Sequence, residues 1–135
     1  MVSIIYGTKG SGKTKQIIDS ANASLQNAKG NIVYITDTKE HSLQIENSIR
    51  YINAKEYLIN TQDRLIGLLA GLMAGNADIE QIFVDGPARI CSCPIADMEA
   101  FYNYLQKLCQ EYGMRFTVTV SAAKEDLPGF IQKLL

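Results

Sequence analysis

The segment Gly7 to Thr14 reads G-T-K-G-S-G-K-T. It stands between an apolar, β-branched run, Val2 to Tyr6, and a helical pattern that opens near Lys13. Gly7, Gly10 and Gly12 disfavour a regular element across the loop, so the chain passes from an extended run into a helix through one tight turn. The run before the loop is continuously apolar and does not alternate, which reads as a buried strand. Both faces of such a strand need cover, and a mainly parallel sheet between helices supplies it.

The rest of the chain repeats this alternation. Ile17, Ile18, Ala21 and Leu25 give a helix over Lys13 to Asn27, and Lys29-Gly30-Asn31 stops it. Asn31 to Thr36 reads as a second strand that ends at Asp37. Between residues 38 and 60 the pattern weakens; it suggests a short helix over His41 to Ser48 and a short strand over Glu56 to Ile59. Thr61 to Asp78 predicts a helix capped by Asn60 or Thr61. Gln81 to Val84 is a strand that ends in Asp85. Met98, Phe101, Leu105, Leu108 and Tyr112 mark an amphipathic helix within Pro94 to Gly113. Arg115 to Val120 is the last strand, and Glu125 to Leu135 ends the chain with a short helix. The expected architecture is one α/β domain over residues 1–135, with a mainly parallel sheet of about five strands.

Composition narrows the function classes. Of the 135 residues, 47% are hydrophobic and 20% charged, which suits one globular core and not a disordered chain. The net charge is -1, and the 13 Lys and Arg are scattered, so no clear nucleic-acid footprint appears. Cys91, Cys93 and Cys109 form no C-x-x-C pair, and His41 is the single histidine, a poor basis for structural zinc. Reduced thiols and an N-terminus without a signal-peptide pattern point to a cytoplasmic protein.

The glycine loop matches G-x-x-x-x-G-K-[ST], the Walker A pattern. Backbone N–H groups turned inward by such a loop surround a polyphosphate, and the helix behind it adds the positive end of its dipole. The expected binding set is Gly7, Thr8, Lys9, Gly10, Ser11, Gly12, Lys13, Thr14 and Lys15. Lys13 is placed to reach the β- and γ-phosphates and the Thr14 hydroxyl to bind Mg²⁺. Gln81 to Asp85 resembles a Walker B strand, whose terminal acid, Asp85 here, would share that Mg²⁺.

On these two motifs the chain resembles the P-loop NTPases, and in size it is similar to short bacterial ATP-binding P-loop proteins. The resemblance implies a three-layer sandwich and favours a RecA-like strand order, with the last strand between the two motif strands, while a kinase-GTPase-like order that sets those two side by side stays open. It implies Mg²⁺ and ATP as ligands. A GTPase is disfavoured, because Asp85 opens D-G-P-A in place of D-x-x-G and no N-K-x-D is present. Gly86 occupies the place where many relatives carry a water-orienting Glu. Asp37 and Glu40 are the nearest substitutes, and Ser121 is in position for a polar sensor at a strand end.

Lys13 and Asp37 are therefore the candidate catalytic residues, and three readings stay open. One is a slow ATPase completed by self-assembly or a partner. Another is a small-molecule kinase in which Asp37 accepts the acceptor's proton. The third is a nucleotide-sensing module without catalysis. Arg89, four residues beyond Asp85, is the best arginine to approach a phosphate, against a plain surface role.

Gly67, Gly71 and Gly75 recur every fourth residue on one helix face. Two readings follow, a helix packed tightly on the sheet and a homo-oligomer interface. The uncharged stretch between Arg64 and Asp78 is shorter than the ~18 residues of a membrane span.

Overall fold

The run before the glycine loop forms strand β1 (Val2–Gly7) and the segment after it forms helix α1 (Lys13–Ser24), in a computed structural model that describes residues 1–135. The remaining strands are β2 (Asn31–Thr36), β3 (Arg50–Asn53), β4 (Ile79–Val84) and β5 (Arg115–Ser121). The remaining helices are α2 (Gln62–Gly75), α3 (Pro87–Cys91), α4 (Glu99–Tyr112) and α5 (Gly129–Gln132). Together they make one α/β domain. The sheet runs β1-β5-β4-β2-β3, and every neighbouring pair is parallel. Gly7 lies opposite Ser121 and Val84 opposite Val118, so the strands end along one edge.

Side-chain alternation sends successive residues of β2 and β4 to opposite faces. Val33, Ile35, Ile82 and Val84 join Leu65 and Leu69 of α2 and Phe101, Leu105 and Leu108 of α4 in the larger core. Ile32, Tyr34 and Phe83 meet Ile17, Ile18 and Ala21 of α1 on the other face, closed by Ile45 and Ile49. The sheet is thus covered on both sides, compatible with three layers. Each fully buried Leu or Ile contributes ~1.5–3 kcal/mol of transfer free energy.

Several boundaries differ from expectation, each for a visible reason. The edge strand is Arg50–Asn53, not Glu56 to Ile59. Ile52 is buried and Tyr51 stacks on Tyr34, with ring centroids 5.5 Å apart. In the expected segment Tyr57 and Leu58 are exposed, and Leu58 takes a left-handed φ of 56°, which ends extended structure. The helix expected over His41 to Ser48 reduces to one 3-10 turn, Ser42–Gln44. Its Leu43 is fully solvated while Ile45 and Ile49 reach the core from irregular backbone. α2 starts where Thr61 Oγ1 accepts the Arg64 N–H, as predicted, and ends at Gly75, three residues early. α4 begins at Glu99, after a 3-10 turn at Ile95–Asp97. The tight-packing reading of Gly67, Gly71 and Gly75 fails: all three are exposed, and a Cβ on any of them would meet no atom within 4 Å.

Gly30 has a packing reason beyond stopping a helix. A Cβ there would collide with the Asp78 carbonyl oxygen. Beside it the Glu80 carboxylate accepts the N–H groups of Lys29 (2.7 Å) and Gly30 and the Arg115 guanidinium (2.9 Å).

Candidate functional site

Because the sheet is parallel, the carboxyl ends of β1, β5, β4 and β2 converge on one edge, where ligands bind in open α/β sheets. The glycine loop leaves β1 at that edge. Gly10 and Gly12 have φ of 83° and 86°, the left-handed region that an L side chain resists. No side chain caps the start of α1. Its first N–H groups and dipole therefore face the loop's hollow, an arrangement that attracts anions. Lys13 is buried, and its Nζ donates to the Thr8 carbonyl at 3.0 Å, the same oxygen that accepts the Ser11 N–H at 3.1 Å.

β4 delivers Asp85, 3% exposed, into the same hollow. The Thr14 hydroxyl donates to Asp85 Oδ2 at 2.9 Å across 71 residues of sequence. The Thr119 hydroxyl donates to Oδ1 at 2.7 Å and accepts the Gly86 N–H at 2.7 Å. Both carboxylate oxygens are thereby fixed by neighbouring elements. Beyond Gly86 the chain turns into α3 with Pro87 in its first turn, and this short helix aims Arg89 back over the site. Arg89 Nε meets Asp37 Oδ2 at 2.9 Å, and Nη2 meets the Asp85 carbonyl at 3.3 Å. The hydrogen bond to Asp37 holds the guanidinium's pKa above its ordinary value against the opposing effect of burial.

Three cavities meet at this edge. One of about 380 Å³ is lined by the glycine loop, Lys13, Thr14, Asp85, Arg89, Thr119 and Ser121, with no apolar side chain. A second, about 320 Å³, shares Thr14, Asp85 and Arg89 and extends past the ends of β2 and β3. A third, about 240 Å³, shares Lys9, Arg89, Thr119 and Ser121 but has an apolar wall that includes Ile95, Met98 and Val120.

The structure brings together Lys9, Gly10, Gly12, Lys13, Thr14, Asp85 and Ser121 around the first cavity, with Asp37 on the second. Thr8 contributes its carbonyl, and Ser11 packs against Gly7. The side chain of Lys15 is elsewhere: it pairs with Asp19 at 2.7 Å on the solvent face of α1. Sequence reasoning missed Thr119, Thr36 and Lys55. The signal for Thr119 is present in R-F-T-V-T-V-S, where alternation puts Thr117, Thr119 and Ser121 on one face of β5. The three cysteines are free, and burial pushes the Cys91 thiol up to about 12.

A scan of protein-family models returns no match. A search of curated proteins returns none. Chemically, the arrangement offers an anion seat of backbone amides and one ammonium. Beside it stands a hydroxyl–carboxylate pair of the oxygen type that hard cations choose. No group of three or more His, Cys, Asp or Glu side chains is placed to cage a metal alone.

Proposed function

We propose that the protein binds Mg²⁺-ATP at the glycine loop and hydrolyses it slowly, as a P-loop NTPase of RecA-like strand order. The observation that carries this reading is the 2.9 Å bond between Thr14 and Asp85, the two residues that the motifs independently assign to one Mg²⁺. The residues fit the group. Gly10 and Gly12 open the loop's amides, Lys13 supplies a cation, and Thr14 and Asp85, the latter through water, would hold the Mg²⁺, oxygen donors of the kind that ion takes. The metal's contribution there is neutralisation of phosphate charge. The place of β5 between β1 and β4 supports the RecA-like order.

Lys13 stabilises charge developing on the γ-phosphate, and the loop amides hold the phosphates in position. Turnover is slow because Gly86 follows Asp85, and the nearest acid, Asp37, is engaged by Arg89. A second reading, phosphoryl transfer with Asp37 as base, is favoured by the polar cavity that opens from the same Thr14, Asp85 and Arg89.

The test is a thermal-shift panel of ATP, ADP, GTP and GDP with and without Mg²⁺. A ligand at a hundred times its Kd adds ~2.7 kcal/mol, a rise of several degrees for a domain of this size. The expected result is a Mg²⁺-linked shift with ATP that Lys13→Ala abolishes, with slow phosphate release in a coupled assay. A nucleotide response that is absent, or unchanged in Lys13→Ala, refutes the assignment. Binding without phosphate release would leave the sensing reading.

A further inference from the structure

We propose that Arg89, braced by Asp37, reads the terminal phosphate, so that the site distinguishes a nucleoside triphosphate from a diphosphate. This rests on the nucleotide reading and adds to it a residue that neither motif contains.

The first argument is position. Arg89 is the one residue that lines all three cavities at the strand edge. A Mg²⁺ between Thr14 and Asp85 bridges the last two phosphates of a triphosphate, so the terminal phosphate belongs at the Asp85 end of the first cavity. Arg89 Nη2 donates to the Asp85 carbonyl at 3.3 Å. Gly86 makes room for it: a Cβ there would meet Cζ of Arg89 at 2.5 Å and both Nη atoms at 2.6 Å. Gly86, which stands where many relatives carry a Glu, is here the floor under a guanidinium.

The second argument is unused donors. A guanidinium carries five N–H groups in a planar fork. Asp37 accepts one, from Nε, and the Asp85 carbonyl accepts one, from Nη2. The N–H groups of Nη1 bond to no protein atom, so Arg89 keeps donors of the kind that a phosphate takes in pairs.

The third argument is the brace. Asp37 holds Nε at 2.9 Å and leaves both Nη atoms without a carboxylate. An arginine held in this way loses less side-chain freedom when a ligand fixes it. Positioning and bare charge make opposite predictions for Asp37. A carboxylate near the site repels phosphate, so by charge alone its removal strengthens triphosphate binding; as a brace, its removal weakens it.

The test is isothermal titration with the β,γ-imido analogue of ATP and with ADP, each with Mg²⁺. Wild type is expected to bind the triphosphate analogue more tightly than ADP. Arg89→Gln is expected to weaken the analogue roughly ten- to a hundredfold, the effect of one charge-assisted hydrogen bond, and ADP less than threefold. Arg89→Lys keeps the charge without the fork; it carries the same test if Arg89→Gln is unstable, with a loss of threefold or more for the analogue alone. Asp37→Ala is expected to weaken the analogue about threefold and to add nothing in the Arg89→Gln background. The proposal is overturned if wild type binds the two nucleotides alike, if the Arg89 variants change both equally or neither, or if Asp37→Ala leaves the analogue's affinity unchanged or raises it. If wild type binds neither nucleotide, the nucleotide reading falls and this inference with it; if both bind and Lys13→Ala abolishes that binding, a failure at Arg89 or Asp37 counts against this inference alone.

Discussion

Thr119 shows how one hydroxyl joins two elements at the site. It donates to Asp85 and accepts from Gly86, and it is almost wholly buried. Thr119→Val keeps the shape and removes both bonds, stranding a carboxylate oxygen and an N–H. Urea unfolding is expected to show a loss of ~1–3 kcal/mol, with Thr119→Ser recovering most of it. A loss below a few tenths would mean that water replaces the hydroxyl. The Asp37–Arg89 pair belongs to the opposite case. The Arg89 side chain is 51% exposed and Asp37 14%, so solvent screens the attraction. A double-mutant cycle with Asp37→Asn and Arg89→Gln is expected to give a coupling of only ~0.2–1 kcal/mol, smaller still in high salt. The pair's value lies in where it holds Arg89, above the Asp85 carbonyl, more than in stability.

At the scale of elements, the glycine strip of α2 and the Glu80 clamp make opposite predictions. Gly71 lies mid-helix, exposed, with open space where a Cβ would go. Gly71→Ala is therefore expected to raise stability by ~0.5–1 kcal/mol, measured as a higher urea midpoint at an unchanged slope. A decrease would reveal that a second copy packs on this face, and light scattering would then show a change of mass. Glu80 is held below its ordinary value of 4.5, first by the Gly30 N–H, then by the Lys29 N–H and Arg115. A carboxylate depressed in the folded state adds stability above its unfolded pKa and loses it as pH falls through the folded one. Stability is thus expected to decline below about pH 4.5, more steeply in wild type than in Glu80→Gln, as followed by circular dichroism across an acid titration.

At the scale of the whole molecule, the two cores share one sheet, because neighbouring residues of β2 and β4 feed opposite faces. Losing either core strips the other of a wall. Far-ultraviolet dichroism and tyrosine fluorescence are expected to report one coincident urea transition, and two separated midpoints would show the α1 face melting alone. Four of the five strands, the long helices and the glycine loop were legible in the sequence because each is written in local chemistry: apolar runs, three-and-four spacing, glycines and caps. On the first cavity, Lys9, Gly10, Gly12, Lys13, Thr14 and Asp85 followed from one contiguous motif and the acid at the end of β4, whereas Thr119 did not. Local chemistry failed where contacts were remote. Arg50–Asn53 became a strand through the stacking of Tyr51 on Tyr34, while Leu58 turned its own segment aside. By itself, then, the sequence determined the α/β class, the loop and the order of elements along the chain. Only the tertiary structure decided between the two strand orders, with β5 between β1 and β4, and showed that Thr119 grips Asp85 and that Arg89 reaches Asp37. Apolar parallel strands carry no mark of their partners, and pairing across many tens of residues is settled by packing the whole sheet at once.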